Sequence, residues 1–142
     1  MKTVMAFGCF DILHPGHIVY LEEAKKLGDK LIVVVARDHA IRVGKKREPV
    51  FYEKSRLHLV GSLKFVDKAV LGDKKDYFRL IRKLRPYIIA LGFDQKPGVR
   101  ELESKLSELG LRTKVVRIRK SHQHHRFKSS LLIQKLREQM GE

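Results

Sequence analysis

The sequence predicts an α/β fold in which a five-stranded parallel sheet is wound by helices on both faces. Short runs rich in Val, Ile and Leu alternate with amphipathic stretches along the whole chain, a pattern typical of repeated βαβ units. Several apolar runs lack polar alternation, as expected for strands that are covered on both faces. No internal repeat or linker divides the 142 residues, so we expect a single domain over residues 1–142.

The strands are expected where Val, Ile and Leu concentrate in short runs. In chain order these runs are Thr3 to Gly8, Lys30 to Ala36, Asp67 to Leu71, Tyr87 to Leu91 and Thr113 to Ile118. Right-handed crossovers between parallel strands then give a doubly wound sheet.

The helices are expected in the amphipathic stretches between the strands. In chain order these stretches are Gly16 to Leu27, Glu53 to Ser62, Lys75 to Leu84, Val99 to Leu109 and Ser129 to Gln139. Gly28 and Gly110 follow two of them as left-handed caps, and Pro86 follows a third.

Ligands of such a sheet bind in the crevice at the carboxyl ends of the strands, where the strand order reverses. The segments after the first, second and fourth strands are Cys9 to His17, Arg37 to Pro49 and Gly92 to Pro97, and all are rich in Gly, His, Asp, Lys and Arg. We therefore expect these three segments to line the crevice. The polar stretches Arg42 to Glu48 and Arg119 to Lys128 are expected to be mobile loops that become ordered on ligand binding.

The charge of the chain indicates an anionic ligand. There are 31 Lys and Arg against 16 Asp and Glu, which gives a formal net charge of +15 and a field that attracts polyanions. Nucleic acid fits this charge, and so does a nucleoside triphosphate together with a phosphorylated acceptor. Highly charged surfaces are also common in heat-adapted proteins. The charge alone therefore does not distinguish nucleic-acid binding, nucleotide binding and heat adaptation.

Cysteine content and hydropathy favour a cytoplasmic protein. Cys9 is the only cysteine, which excludes an intramolecular disulfide and a zinc site built from several thiolates. No apolar run approaches the roughly 20 residues that span a bilayer, so we expect no membrane association. The N-terminus also lacks the features of a secretory signal.

The run His14-Pro15-Gly16-His17 follows the strand that ends at Gly8 and opens a predicted helix. Pro15 suits a first helical position, and Gly16 lets a ligand approach the backbone closely. The two histidines then lie on one face of the first turn, beside free amides and the positive end of the helix dipole. Such a site can hold a polyphosphate and stabilise charge during displacement at phosphorus. Local helix capping and metal binding are the alternatives, although paired helical ligands usually have i, i+4 spacing.

The segment that contains these histidines also resembles a known family signature. Residues 8–17 read G-C-F-D-I-L-H-P-G-H, which is similar to the G-T-F-D-x-x-H-x-G-H motif of the cytidylyltransferase-like nucleotidyltransferases. Within that superfamily the chain most resembles the archaeal FAD synthetases, through Ala24 to Asp29, Val35 to Asp38, Val66 to Gly72 and Leu91 to Gln95. The resemblance implies a Rossmann-like domain of the HxGH nucleotidyltransferase type.

Carried over position by position, the resemblance implies three sets of site residues. Those expected at the nucleotide in this part of the chain are Cys9, Phe10, His14, Pro15, Gly16, His17 and Asp94. Those expected to stabilise the transition state are His14, His17 and Lys45. Those expected at the acceptor are Asp11, Lys46 and Arg56. For the two lysines and the arginine, a solvated basic surface is the alternative.

A second family signature, R-T-x-x-I-S-T-T, is echoed by R-F-K-S-S at residues 126–130, before the last predicted helix. The resemblance places Arg126, Ser129 and Ser130 at the nucleotide, and either serine could also cap its own helix. The arginine usual in this signature falls on His124, so Arg126 would act from a different point of the loop.

Two further features depart from the family pattern or invite another interpretation. Cys9 replaces the usual Thr, which removes a hydroxyl but keeps the backbone amide. A nucleophilic role for Cys9 is not needed when the acceptor already carries a phosphate. His122, His124 and His125 suggest a metal site, but without nearby acids a basic loop is favoured, and no metal ligands are assigned.

The resemblance to archaeal FAD synthetases implies ATP as donor, with Mg²⁺ or another divalent cation, and FMN as acceptor. Transfer of AMP would then give FAD and pyrophosphate, by direct attack without a covalent intermediate. The aromatic side chains considered for stacking on the flavin are Phe10, Phe51, Tyr52 and Phe93. At least two of these four are expected to be core residues instead.

Other functions stay open at this point. One is a cytidylyl- or adenylyltransferase acting on a different phosphorylated acceptor, such as glycerol-3-phosphate, phosphopantetheine or a sugar phosphate. The alternative from another class is a basic nucleic-acid-binding module. It gives no reason for His14 and His17 to share a crevice, and no aromatic-rich strand motif supports it. The sequence does not fix the oligomeric state, but small members of this superfamily are often dimers.

Overall fold

The five predicted strands form one parallel sheet in the computed structural model, which describes residues 1–120 and 129–141. The strands are β1 (Thr3–Gly8), β2 (Lys30–Val35), β3 (Lys68–Leu71), β4 (Ile88–Leu91) and β5 (Lys114–Arg117). Their order in the sheet is β3-β2-β1-β4-β5, and each neighbouring pair is parallel. The chain therefore builds outward from β1 to β3 and then returns to place β4 on the other side of β1. This reversal between β1 and β4 confirms the predicted doubly wound α/β fold.

The helices in the described part of the chain are α1 (Pro15–Lys25), α2 (Asp38–Lys45), α3 (Glu53–Gly61), α4 (Arg79–Leu84), α5 (Val99–Glu108) and α6 (Ser129–Gln139). Helices α1 and α3 pack on one face of the sheet, and α4 and α5 pack on the other. None of the helices in this part of the chain is long and apolar enough to cross a membrane.

The core is split by the sheet into two apolar layers. On one face, Val4 and Ala6 of β1 share a buried cluster with residues of α1 and α3. On the other face, Met5 belongs to a cluster that includes Ile81 of α4 and Leu102 of α5. Successive side chains of a strand point to opposite faces. Both sets must therefore be apolar here, which explains why the strand sequences do not alternate.

Helix α2 corrects the expectation that Arg42 to Glu48 is a mobile loop. The helix covers Asp38–Lys45 and ends at Lys46, whose φ of 55° is left-handed. Ile41 is its only buried residue, so the helix is a short, mostly polar segment with a single apolar anchor. Its start is fixed by a tertiary contact, because the amide of Asp38 donates to the Glu53 carboxylate at 3.0 Å.

Helix α4 begins later than predicted because the preceding residues form turns of their own. The Asp73 carboxylate accepts hydrogen bonds from the amides of Lys75 and Asp76, both at 2.9 Å. The Asp76 carboxylate accepts one from the amide of Phe78 at 2.9 Å. Such aspartate-to-backbone bonds compete with helix formation. They make residues 73–78 a locally hydrogen-bonded loop.

The two predicted glycine caps have different outcomes. Gly110 has a φ of +75° and is left-handed as predicted, but Gly28 is not among the left-handed glycines. Gly28 is needed for lack of space, since a Cβ there would lie 2.6 Å from the carbonyl oxygen of Lys2. A side chain there would push the end of α1 away from the start of β1.

Candidate active site

A cavity of about 940 Å³ opens at the carboxyl ends of the strands. Its lining includes Gly8–Asp11 after β1, Arg37 and His39 after β2, and Gly92–Lys96 after β4. These are the three segments that the sequence placed there. Gly72–Lys75 after β3 lines it as well. That contribution was missed, although the rule that ligands bind at the carboxyl ends of strands applies equally to β3.

The paired histidines start helix α1 and face this cavity together. His14 is the N-cap, and its Nδ1 accepts a hydrogen bond from the amide of Gly16 at 3.1 Å. Nδ1 of His17 accepts one from the amide of His14 at 3.3 Å. The two rings stack with centroids 3.7 Å apart. Capping and phosphate handling are therefore compatible, because the caps use Nδ1 and a neutral ring then carries its proton on Nε2.

The environment of His17 keeps its imidazole neutral. Burial, together with the nearby His14 and Lys45, lowers the pKa of His17 to about 3. Phe10 packs edge-on against the His17 ring at 5.2 Å. Near neutral pH, His17 is therefore a neutral ring. Its Nε2–H can donate a hydrogen bond, but the ring carries no extra proton to give up as an acid.

Phe10 belongs to the cavity lining, but its ring is buried against His17. It is 2% exposed and has a left-handed φ of 52°, an uncommon backbone conformation for a bulky residue. Its ring fills the space beside Gly8, where a Cβ would lie only 2.7 Å from Phe10 Cζ. The glycine of the motif is therefore needed to make room for this ring.

The lysines that the sequence proposed separate in the structure. Lys45, on the last turn of α2, lines the cavity. Lys46 is exposed and is absent from the described lining, because its left-handed backbone ends the helix there. Arg47 lines the cavity instead. Its Nη2 atom is buried and has no hydrogen-bond partner among the described residues. The basic run Lys45-Lys46-Arg47 indicated cations at the cavity, but the sequence alone did not show which of the three side chains face it.

Asp11 anchors a loop from inside the site. Its carboxylate is fully buried, accepts hydrogen bonds from the amides of Val50 and Phe51 at 2.9 Å, and pairs with Arg47 at 2.6 Å. Burial by itself raises the pKa of Asp11, but those amides and Arg47 together bring the pKa below its usual value. The charged carboxylate thereby holds Arg47 against the cavity.

Arg56 is not brought to the cavity. It is 0% exposed and is absent from the described lining. Nη1 donates to the carbonyls of Cys9 at 2.8 Å and Ala36 at 2.6 Å, while Nη2 pairs with Asp38 at 2.8 Å. Nε donates to the carbonyl of Phe51 at 2.8 Å. The guanidinium thus joins the residues that follow β1 and β2, which corrects the expectation that it contacts the acceptor directly.

The remaining predicted site residues divide into three groups. Cys9, Gly16 and Asp94 line the cavity, whereas Pro15 is exposed at the first position of α1 and is absent from the described lining. Ser129 and Ser130 begin α6, but their side chains lie outside the described residues. The positions Arg126, His122, His124 and His125 also lie outside the described residues.

Of the four aromatic residues considered for the flavin, Phe10 alone is a core residue, which corrects the expectation of at least two. Phe93 lines the cavity, whereas Phe51 and Tyr52 are exposed and absent from the described lining. Tyr77, which was not considered, lines it instead and packs at a tilt against Phe7 with ring centroids 5.2 Å apart.

This cavity at the strand reversal, with two stacked imidazoles at a helix start, is suited to a nucleotide and its phosphates. Fold and site together define the class of the molecule, an α/β nucleotidyltransferase. Its family follows from the comparison of sequences, since the model described as cytidylyltransferase-like matches residues 5–135. The chain belongs to this family.

Individual relatives cover nearly the whole chain. A protein named FAD synthase from Thermoplasma volcanium is 49% identical over 142 residues, which are 100% of this chain and 99% of the relative. Another FAD synthase, from Archaeoglobus profundus, is 48% identical over 96% of this chain and 86% of its own length. A solved structure described as a lipopolysaccharide core biosynthesis protein from T. volcanium is 51% identical, with a TM-score of 0.82 over 86% of this chain and 98% of that one.

Proposed function

We propose that this protein is an FAD synthase, which transfers AMP from ATP to FMN and releases pyrophosphate. The observation that carries the transfer chemistry is the stacked pair His14 and His17, with both Nδ1 atoms engaged by backbone amides at the start of α1. The relatives named FAD synthase, which match 96% or more of the chain, support FMN as the acceptor.

The reaction needs positioning and charge stabilisation more than proton transfer. A phosphate oxygen of FMN attacks the α-phosphorus of ATP in line, the bond to the bridging oxygen breaks, and pyrophosphate leaves with that electron pair. The second pKa of a phosphate monoester is about 6, so the attacking oxygen is already ionised near neutral pH. A general base is therefore unnecessary, which agrees with two imidazoles whose Nδ1 atoms are occupied by amides.

The proposed roles of the site residues follow from this requirement. His14 and His17 donate from Nε2 to the oxygens that gain charge in the transition state. Lys45 and Arg47, which line the same cavity, neutralise the phosphates. Asp94 and the backbone after β4 contact the nucleoside.

A divalent cation fits the site as part of the nucleotide. Among the residues with described positions, no group of three His, Cys, Asp or Glu side chains could hold a metal ion. Mg²⁺ commonly binds through substrate phosphates and water with few protein ligands. We therefore propose that the cation enters with ATP and reduces the charge on its phosphates.

We propose that the flavin ring packs on Tyr77. This side chain is 43% exposed, lines the cavity, and is supported from behind by Phe7. Burial raises its pKa to about 12, so the phenol stays neutral over the working range of pH. Lys74 and Lys75 precede it on the same loop and line the cavity as well, which provides cations for the phosphate of FMN.

A second acceptor class is supported by one relative. The lipopolysaccharide name of the solved structure makes a sugar phosphate the main alternative to FMN. The test is a matrix of ATP and CTP against FMN, sugar phosphates, glycerol-3-phosphate and phosphopantetheine, with Mg²⁺, Mn²⁺ or Co²⁺. Pyrophosphate release and product identity are measured together. Of these mixtures, only those with ATP and FMN should yield FAD. Pyrophosphate release with another acceptor, together with no conversion of FMN, would contradict the flavin assignment.

Other expectations stay proposals with direct tests. A single domain over residues 1–142 should unfold in one cooperative transition. Light scattering would distinguish a monomer from the expected homodimer, and fractionation would test the cytoplasmic location. Tight binding of DNA or RNA with steep salt dependence would favour the nucleic-acid alternative.

A further inference from the structure

We infer that Gln95 is a positioning residue for the nucleotide, because its side chain holds open the point where β1 and β4 diverge and fixes the turn that follows β4. The inference rests on the proposed role of the cavity as a nucleotide site. It adds a residue to which the sequence signatures assigned no function.

The strand pairing between β1 and β4 stops short of the cavity. The paired residues run from Val4 with Ile88 to Ala6 with Ala90. Beyond that point the two strands separate, so the polar backbone groups of Phe7, Ala90 and Gly92 no longer meet across the sheet. Buried backbone groups need other partners at such a position.

Two side chains supply these partners. The Gln95 amide donates from Nε2 to the Phe7 carbonyl at 2.6 Å, and its Oε1 accepts from the Gly92 amide at 2.7 Å. The Tyr20 hydroxyl donates to the Ala90 carbonyl at 2.6 Å and accepts from the Phe7 amide at 3.2 Å. Together they replace the hydrogen bonds that the strands lose where they separate.

Gln95 also closes the turn that carries the proposed nucleoside contact. Its own amide donates to the Gly92 carbonyl at 3.2 Å. Nη1 of Arg117, on β5, donates to the carbonyls of Gly92 at 2.8 Å and Gln95 at 2.6 Å. Both ends of the turn are therefore tied to β1, α1 and β5. Phe93 and Asp94, between the two fixed ends, line the cavity in an orientation set by these ties.

The geometry also determines which substitution reports on this role. In Gln95→Glu the size is kept, but a carboxylate oxygen replaces Nε2, the donor that lies 2.6 Å from the Phe7 carbonyl. Two acceptors facing each other repel, whereas a protonated carboxyl can donate as the amide does. The variant should therefore bind ATP about tenfold more weakly than the wild type at pH 8, the equivalent of one lost hydrogen bond. Affinity should recover as the pH is lowered through the pKa of the new carboxyl.

The experiment is calorimetric titration of the full chain with a non-hydrolysable ATP analogue and Mg²⁺, without an acceptor, at temperatures well below unfolding. Gln134→Glu makes the same change on an exposed face of α6 and should bind like the wild type. Tyr20→Phe, which removes the other bridge, should weaken binding without a pH-dependent recovery. This variant keeps the test decisive if Gln95→Glu folds poorly.

Each outcome bears on the inference. Weaker ATP-analogue binding by both Gln95→Glu and Tyr20→Phe, with the affinity of Gln95→Glu restored at low pH, supports it. Unchanged affinity in folded Gln95→Glu and Tyr20→Phe would overturn it, because a purely structural role would alter stability alone. In that case the AMP-transfer assay with FMN still decides the proposed function by itself. Failure of the wild type to bind the analogue would overturn both.

Discussion

Replacing Arg56 by Met should test whether this buried arginine is a structural link or an acceptor ligand. The side chain is 0% exposed, and its guanidinium bonds three backbone carbonyls and the Asp38 carboxylate, which is 15% exposed. Removing one member of a buried ion pair costs about 3–5 kcal/mol because the other charge is left unpaired. We expect the free energy of unfolding to fall by about 4 kcal/mol, a large part of the 5–15 kcal/mol typical of a domain.

Guanidinium chloride unfolding at pH 7 measures this loss. For a slope of about 4 kcal/mol per molar, the midpoint should fall by about 1 M with little change in the slope. Lys54→Met, on the exposed side of the same helix, is the matched control and should change stability by less than about 0.5 kcal/mol. An unchanged midpoint in Arg56→Met, together with a raised KM for the acceptor, would refute the structural reasoning and restore the direct contact.

Three further predictions concern the cavity. His14→Ala and His17→Ala should each lower kcat by about 10²-fold while nucleotide affinity changes much less; loss of affinity with unchanged kcat would make them binding residues only. Because the pKa of His17 is lowered to about 3 in the folded protein, the unfolded chain binds more protons between about pH 6.5 and 3. Stability from this group is complete above that window and is lost as the pH falls through it. Within this window His17 should contribute about 1.4 kcal/mol per pH unit to the slope of unfolding free energy against pH. The slope should be smaller by that amount in His17→Asn; equal slopes in the two proteins would contradict the burial of a neutral ring. Tyr77→Leu should raise KM for FMN several-fold and leave KM for ATP nearly unchanged, with Phe93→Leu as the comparison; steady-state kinetics showing the reverse pattern would place the flavin on Phe93.

The sequence was sufficient for features that depend on local pattern. The strands were visible because both faces of the sheet are covered, so each strand is an uninterrupted apolar run. The histidines were placed correctly at a helix start because Gly8, Pro15 and Gly16 specify a strand, a tight turn and a helix within ten residues. The left-handed cap at Gly110 is equally local.

The failures share a dependence on contacts between distant residues. Helix α2 has one buried side chain, Ile41, so its sequence reads as a polar loop. In the sequence, Arg56 cannot be told from a surface cation, because its hydrogen-bond acceptors belong to the distant residues 9, 36 and 38. Gln95 bonds to Phe7, 88 positions away. No periodicity or motif in a single sequence records such partners.

The loop after β3 has three hydrogen bonds within itself, through the carboxylates of Asp73 and Asp76. Its exposed lysines, Lys74 and Lys75, can therefore be replaced without disturbing the strands or the histidine pair. With the acceptor on this loop as proposed, a change of its exposed residues would alter which acceptor is bound while the histidine pair stays in place. Divergence of acceptor preference among close relatives is the evolutionary outcome that such a modular loop permits.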